Sequence, residues 1–132
     1  MSLYFDTSAL VKLVQREPES DALRAYLRRH ADEPGVTSAL ARVELVRAVL
    51  AGGPRAVSAA RRRLAALHEV ALDRTVLDDA ATLAPRTRLR SLDAIHLASA
   101  RLLGAGLRAL VTYDERMAAS ATDAGLPVRA PR

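Results

Sequence analysis

The chain has 132 residues (14.2 kDa), half of them apolar and 27% charged, the make-up of one globular domain over residues 1–132 that buries a core without staples. It has no cysteine, which excludes disulfides, thiolate zinc sites and cysteine nucleophiles; aromatics are 3%, too few to stack a single strand on a row of rings. The net charge of +5 lies wholly in residues 51–132, thirteen bases against eight acids, and such a surface attracts polyanions, nucleic acid foremost. Nineteen of the twenty bases are arginine, which also reads as the mark of a GC-rich genome. No apolar run reaches the roughly 18 residues of a membrane span. Residues 1–6 lack the basic start of a signal peptide, so the expectation is a cytoplasmic protein.

Residues 2–6 read as a short buried strand ending in an acid. Thr7-Ser8 opens an apolar-periodic stretch through Val14, and a hydroxyl residue there predicts a helix start. Pro18 restarts the chain, and Ser20 is placed to cap a helix through His30, with Leu23, Tyr26 and Leu27 at helical spacing. Asp32 to Gly35 is a turn and Val36-Thr37 a brief strand. Ser38 is expected to cap a helix through Leu50, broken by Gly52-Gly53-Pro54. Residues 55–67 are helical again, with Arg61, Arg62 and Arg63 mostly outward. Residues 69–72 are a strand candidate, 75–84 a helix stopped near Pro85, and Arg86 to Arg90 a basic loop. Ser91 is expected to cap a helix from Leu92 to Leu103, ended by Gly104 and Gly106. Leu107 to Thr112 is a strand, residues 114–124 a helix ended by Gly125, and Pro127-Val128 a short edge strand. Strands alternating with helices predict an α/β fold: a small parallel sheet with helices on both faces.

In an open parallel sheet, ligands bind at the carboxyl ends of the strands. Asp6 follows the first strand, and Asp114 follows the strand that ends at Thr112. Asp93 lies in the first turn of the helix behind Ser91. Glu44 stands in mid-helix among Leu40, Ala41, Val43 and Ala48. Each acid also has a plain structural reading. Asp6 and Asp114 suit helix caps, Asp93 suits its helix's positive end, and Glu44 suits a solvated pair with Arg47. Jointly, four acids approaching one sheet edge repel each other unless a cation sits between them. Oxygen ligands without a histidine or cysteine cluster select magnesium or manganese.

The runs Tyr4-Phe5-Asp6-Thr7-Ser8-Ala9-Leu10, Leu92-Asp93-Ala94-Ile95-His96-Leu97-Ala98 and Leu110-Val111-Thr112-Tyr113-Asp114, with the Ser38 to Glu44 helix between them, resemble the PIN-domain family in order and span residues 3–117. At this length the chain is most similar to the VapC-type toxins of type II toxin–antitoxin pairs. The segment between Glu44 and Asp93 has no motif. The resemblance implies a PIN-like three-layer α/β/α fold and a magnesium-dependent endoribonuclease, with manganese able to substitute. It also implies a cognate antitoxin and a homodimer. Carried over residue by residue, Asp6, Glu44, Asp93 and Asp114 form the catalytic acidic pocket. Asp6 and Asp93 would ligate the metal, Asp114 would hold metal-bound water or a second ion, and Glu44 would ligate or orient the water. Thr7, Ser8 and Thr112 would hydrogen-bond the acids, capping and strand-end duty being their plainer reading. Cleavage of a phosphodiester needs a water made more acidic and a cation facing the leaving oxygen.

His96 shares a helix face with Asp93, although a packed histidine is its plainer reading. Arg86, Arg88 and Arg90, with Arg61 to Arg63, are candidates for RNA phosphates against the alternative of solvated arginine. Tyr113 is the aromatic placed to touch a base. Two phosphotransfer folds share the architecture. A response-regulator receiver requires an acidic pair on the first strand and a late lysine, but Asp6 stands alone and Lys12 is the only lysine. A haloacid-dehalogenase-like phosphatase requires an acid where Ser8 stands. The remaining alternative is a non-catalytic RNA-binding domain that blocks its target by occupancy, for which intact acids are a handicap.

Overall fold

The computed structural model describes all 132 residues. Strand β1 (Ser2–Phe5) runs into Asp6, which is extended (φ −80°, ψ 176°) and accepts from the Ala9 N–H as the N-cap of α1 (Thr7–Val14). The cap is thus the acid, not a hydroxyl of Thr7 or Ser8. Helix α2 (Ser20–Arg29) is not capped by Ser20. That hydroxyl donates to the Lys12 carbonyl at 2.7 Å and accepts from the Glu17 N–H at 2.9 Å, which ties the Pro18 turn back onto α1. Ser38 belongs to β2 (Gly35–Ser38), and α3 (Ala41–Val49) starts beyond it. Gly53, at φ +87°, takes a left-handed conformation that favours glycine and leads into α4 (Pro54–Ala65), whose proline sits in the first turn.

Strand β3 (His68–Val70) lies one residue earlier than its pattern predicts, set by pairing of Val36 with His68 and Ser38 with Val70. Then follow α5 (Arg74–Thr82), α6 (Ser91–Arg101), β4 (Leu107–Val111), α7 (Glu115–Asp123) and β5 (Val128–Arg129). Ser91 is the first residue of α6 and Arg90 occupies its cap position, with no side-chain cap.

All strand pairings are parallel, in the order β3-β2-β1-β4-β5. Successive residues of a strand face opposite ways. Leu3 and Phe5 therefore enter the core under α1 to α4, while Tyr4 enters the core under α6 and α7 beside Leu97, Ala100, Met117 and Ala121. Helix α5 closes the second layer by packing Val76 and Ala80 on Ala94 and Ala98 of α6. Leu10, Leu23, Leu45, Leu97 and Leu110 are fully buried, each stabilising by about 1.5–3 kcal/mol. At Gly35 a Cβ would stand 2.6 Å from Leu67 Cδ2 and 3.1 Å from Phe5 Cε2, so any larger residue there must push those two side chains aside.

The chain lays β1, β2 and β3 outward in one direction, then returns to the other side of β1 with β4. Strand order reverses between β1 and β4. The carboxyl ends of those two strands make the crevice in which an open α/β sheet takes its ligand.

Candidate active site

Asp6 stands at that reversal and is 4% exposed. Its Oδ1 accepts from Ser8 Oγ at 2.7 Å and from the Ala9 N–H at 3.1 Å, and its Oδ2 accepts from Thr112 Oγ1 at 2.5 Å. Thr112 Oγ1 in turn accepts from the Asp114 N–H at 3.1 Å, and Ser8 Oγ from the Tyr113 N–H at 2.9 Å. Asp6 thereby ties together the ends of two strands from opposite ends of the sequence. Burial pushes its carboxyl above the ordinary value, against the pull of the Thr112 and Ser8 hydroxyls.

Asp114 is the N-cap of α7, its Oδ1 accepting from the Arg116 N–H at 2.8 Å and the Met117 N–H at 3.1 Å. Capping and membership of the acidic set are thus compatible. Asp93, half-buried in the first turn of α6, lies 3.7 Å from Arg90 Nε. Burial raises its carboxyl, and the facing charge of Asp114 raises it further.

Glu44 sits in the first turn of α3, not in mid-helix, and its partners are remote in sequence rather than Arg47. Its Oε1 accepts from Thr7 Oγ1 at 2.6 Å and stands 2.6 Å from Nε2 of His96. Burial pushes this carboxyl up, but the hydrogen bonds of His96 and Thr7 outweigh it and hold the group ionised below its ordinary value. His96 is buried in α6, and its Nδ1 meets the Tyr4 hydroxyl at 2.8 Å. Burial drives that phenol far above its usual range. Sequence reading set His96 on the helix face of Asp93, with packing as its plainer role, and missed its pairing with Glu44 and with Tyr4. The signal for Tyr4 was a hydroxyl-bearing ring on the apolar strand β1.

No three acids or histidines converge closely enough to make a metal cage from protein alone. The donor chemistry still suits a hard cation. The groups are oxygens, and Asp93 and Asp114 lie in each other's field. The raised carboxyl of Asp6 marks burial, and that of Asp93 marks burial and the negative charge of Asp114; a cation relieves both. Magnesium keeps several waters and takes one or two carboxylates, so it does not require a full protein cage.

Arg86, Arg88 and Arg90 are exposed on the loop between α5 and α6, as are Arg61 and Arg62 on α4, while Arg63 is half-buried. Tyr113 departs from expectation. Its hydroxyl donates to the Pro131 carbonyl at 2.8 Å, and its ring lies 4.7 Å from Lys12 Nζ and 5.8 Å from the Arg132 guanidinium. Burial pushes the phenol up to about 12. The ring is packed beneath residues 131–132 rather than open to a base.

The sheet is wholly parallel, and acids and hydroxyls gather at the reversal between β1 and β4. The chain belongs to the PIN-domain family, whose profile, described as PIN domain, matches residues 3–122. Within it, the chain is 54% identical over 131 residues to Ribonuclease VapC46 of Mycobacterium tuberculosis, covering 98% of each chain. Its fold is similar to that of Mycobacterium tuberculosis VapC20, described as a sarcin-ricin loop cleaving toxin, with a TM-score of 0.73 at 21% identity, covering 99% of this chain and 100% of the other. It is also similar to a chain of a toxin-antitoxin complex from Klebsiella pneumoniae, with a TM-score of 0.72 at 23% identity and coverage of 99% and 98%.

Proposed function

We propose that this chain is a VapC-type ribonuclease, the toxin of a toxin–antitoxin pair, which hydrolyses RNA phosphodiester bonds in the cytoplasm with magnesium held at Asp6, Asp93 and Asp114. The observation that carries the reading is 54% identity to a VapC ribonuclease over 98% of both chains. The acids at the sheet reversal supply the chemistry. A bound magnesium ion provides a more acidic water and a counter-charge for the leaving oxygen.

The protein's own residues orient and exclude. Asp6 and Asp93 offer ligand oxygens, and Asp114 offers one directly or through water. Ser8 and Thr112 each hold one oxygen of Asp6, which fixes the direction of a carboxylate that burial would otherwise leave free to protonate. Glu44 orients the attacking water. Arg86, Arg88 and Arg90 receive phosphates flanking the scissile bond. Manganese substitutes for magnesium.

The chain acts as one domain over residues 1–132 and as a homodimer, held inactive by a cognate antitoxin. Val43 and Leu50, at 59% and 54% exposure on and just after α3, supply apolar surface for such a partner. No helix is long and apolar enough to cross a membrane. Helix capping accounts for Asp6 and Asp114 singly, but the competing reading, a non-catalytic RNA binder, leaves the mutual field of Asp93 and Asp114 without a counter-charge and sets acids against the phosphates it would bind.

The test is incubation of the purified protein with RNA, with and without magnesium, alongside Asp6→Ala and Asp93→Ala proteins. New RNA ends that need both magnesium and the acids are expected. RNA retained uncut under all conditions would establish the occupancy reading instead. Mapping RNA ends after induction without antitoxin identifies the target.

A further inference from the structure

Oε1 of Glu44 is shared by two donors from different elements. Thr7 on α1 donates its hydroxyl hydrogen at 2.6 Å, and the His96 ring on α6 reaches it at 2.6 Å through Nε2. An ionised carboxylate has no proton to give, so a contact this short places the proton on Nε2. The other side of the ring is also held. Nδ1 meets the Tyr4 hydroxyl of β1 at 2.8 Å, and the two rings cross at 74° with centroids 6.0 Å apart. With 1% exposure, His96 cannot touch RNA or bulk water. It acts on neighbours or not at all.

The geometry points to His96 as the positioning residue of the nuclease site: its Nε2–H anchors Glu44 Oε1 and leaves Oε2 as the single oxygen free to aim the attacking water, while Tyr4 stops the ring from turning. This rests on the ribonuclease reading and adds a part to it. Thr7 alone offers one donor on a side chain that can rotate. The buried imidazole is held on one side by Tyr4 of β1 and on the other by Glu44 of α3, so it fixes the position of Oε1 as well as satisfying it. Tyr4 belongs to the same device. It sits two residues before Asp6 on β1, so the strand that presents the buried acid also sets the ring that aims Glu44.

Two substitutions separate positioning from filling of space. His96→Gln puts an amide nitrogen near the place of Nε2, keeps the donor to Glu44 and gives up the partner of Tyr4. His96→Asn puts its polar atoms near the place of Nδ1, keeps the partner of Tyr4 and gives up the donor to Glu44. The Asn protein is expected to lose about 10–100-fold in kcat with KM unchanged, as loss of an orienting partner does, and the Gln protein is expected to recover most of that loss. Equal losses in the two, in step with their melting temperatures, would overturn the positioning role.

Nitrogen-15 NMR of the wild-type ring, without metal or RNA, gives a readout independent of activity and of how the variants fold. A proton on Nε2 is expected, and a neutral ring with a bare Nε2 and the proton on Nδ1 overturns the inference. The two readings fail differently. A wild-type protein that does not cut RNA in magnesium refutes the ribonuclease assignment, whereas an active wild type with indistinguishable Gln and Asn variants refutes only the role of His96.

Discussion

Replacing Asp6 by asparagine is expected to abolish cleavage while leaving the fold as stable as before, or more so. The side chain has three bonded partners: the Ala9 N–H, Ser8 Oγ and Thr112 Oγ1. Asparagine caps a helix about as well as aspartate, and its oxygen can keep the first two. Its amide then faces Thr112, whose hydroxyl can turn and accept. What disappears is a buried charge. Burial raises this carboxyl above its ordinary value, so the ionised group disfavours the fold. A rise in melting temperature is expected at neutral pH without divalent cations, each kcal/mol of net gain showing as about 3–5 °C in a chain of this size.

The pH dependence has a definite sign. Well below the ordinary carboxyl value the folded and unfolded chains both hold the proton, and wild type and variant melt alike as far as this group is concerned. As pH rises from the ordinary value to the raised folded one, the unfolded wild type gives up its proton ahead of the folded chain, so its stability falls relative to the variant and the gap is fully open above the folded value. Magnesium should close the gap from the wild-type side. Asp6→Ala behaves otherwise: the cap bond to Ala9 and the bonds from Ser8 and Thr112 are all lost, and a destabilisation of about 1–3 kcal/mol is expected. Thermal melts in EDTA and in magnesium, from pH about 5 to about 8, provide the assay. An asparagine variant that melts below wild type by the same margin at every pH, with or without magnesium, refutes the reasoning and leaves Asp6 as a helix cap alone.

Magnesium and RNA should help each other bind: with a non-cleavable RNA present, apparent magnesium affinity tightens by the same factor by which magnesium tightens RNA affinity, and a titration of Asp6→Ala that keeps the full effect would contradict the assignment of ligands. Alanine at Arg86, Arg88 and Arg90 together should weaken RNA binding across sequences and lower the slope of log affinity against log salt by about one for each phosphate no longer neutralised; an unchanged slope in filter binding removes this loop from the RNA path. Gly35→Ala should destabilise by about 1–3 kcal/mol in urea unfolding, because its methyl meets Leu67 and Phe5 at overpacked distances; a neutral outcome means the two side chains have room to move apart.

Much of the sheet is legible in the residues. Leu3-Tyr4-Phe5 and Ala109-Leu110-Val111 are short apolar runs beside turn signals, and the alternation with helices leaves little choice but a parallel sheet. Helix starts are less legible. Ser20, Ser38 and Ser91 all look like caps, yet Ser20 binds the Lys12 carbonyl, Ser38 closes β2 and Ser91 is already helical. A serine hydroxyl serves whichever backbone group the tertiary fold brings near, and local sequence does not show which. The site divides the same way. Asp6 and Asp114 are readable because a strand end followed by an acid is a local pattern. The pairing of Glu44 with His96 spans 52 residues and exists only once α3 and α6, from opposite layers, bring these side chains together. The partner of an ionised group cannot be read from its own helix when it belongs to another.

The central position of β1 bears on how the protein is made. The first strand to be synthesised pairs on one side with β4, and Asp6 waits for a Thr112 that follows it by 106 residues. Until β4 has left the ribosome, Asp6 has no Thr112 hydroxyl and no neighbouring Asp114, and β1 lacks its partner on that side. Contacts so far apart in the chain form late and slowly. The crevice between β1 and β4 is therefore completed only by the last third of the chain, and a nascent copy that stops short of β4 lacks it.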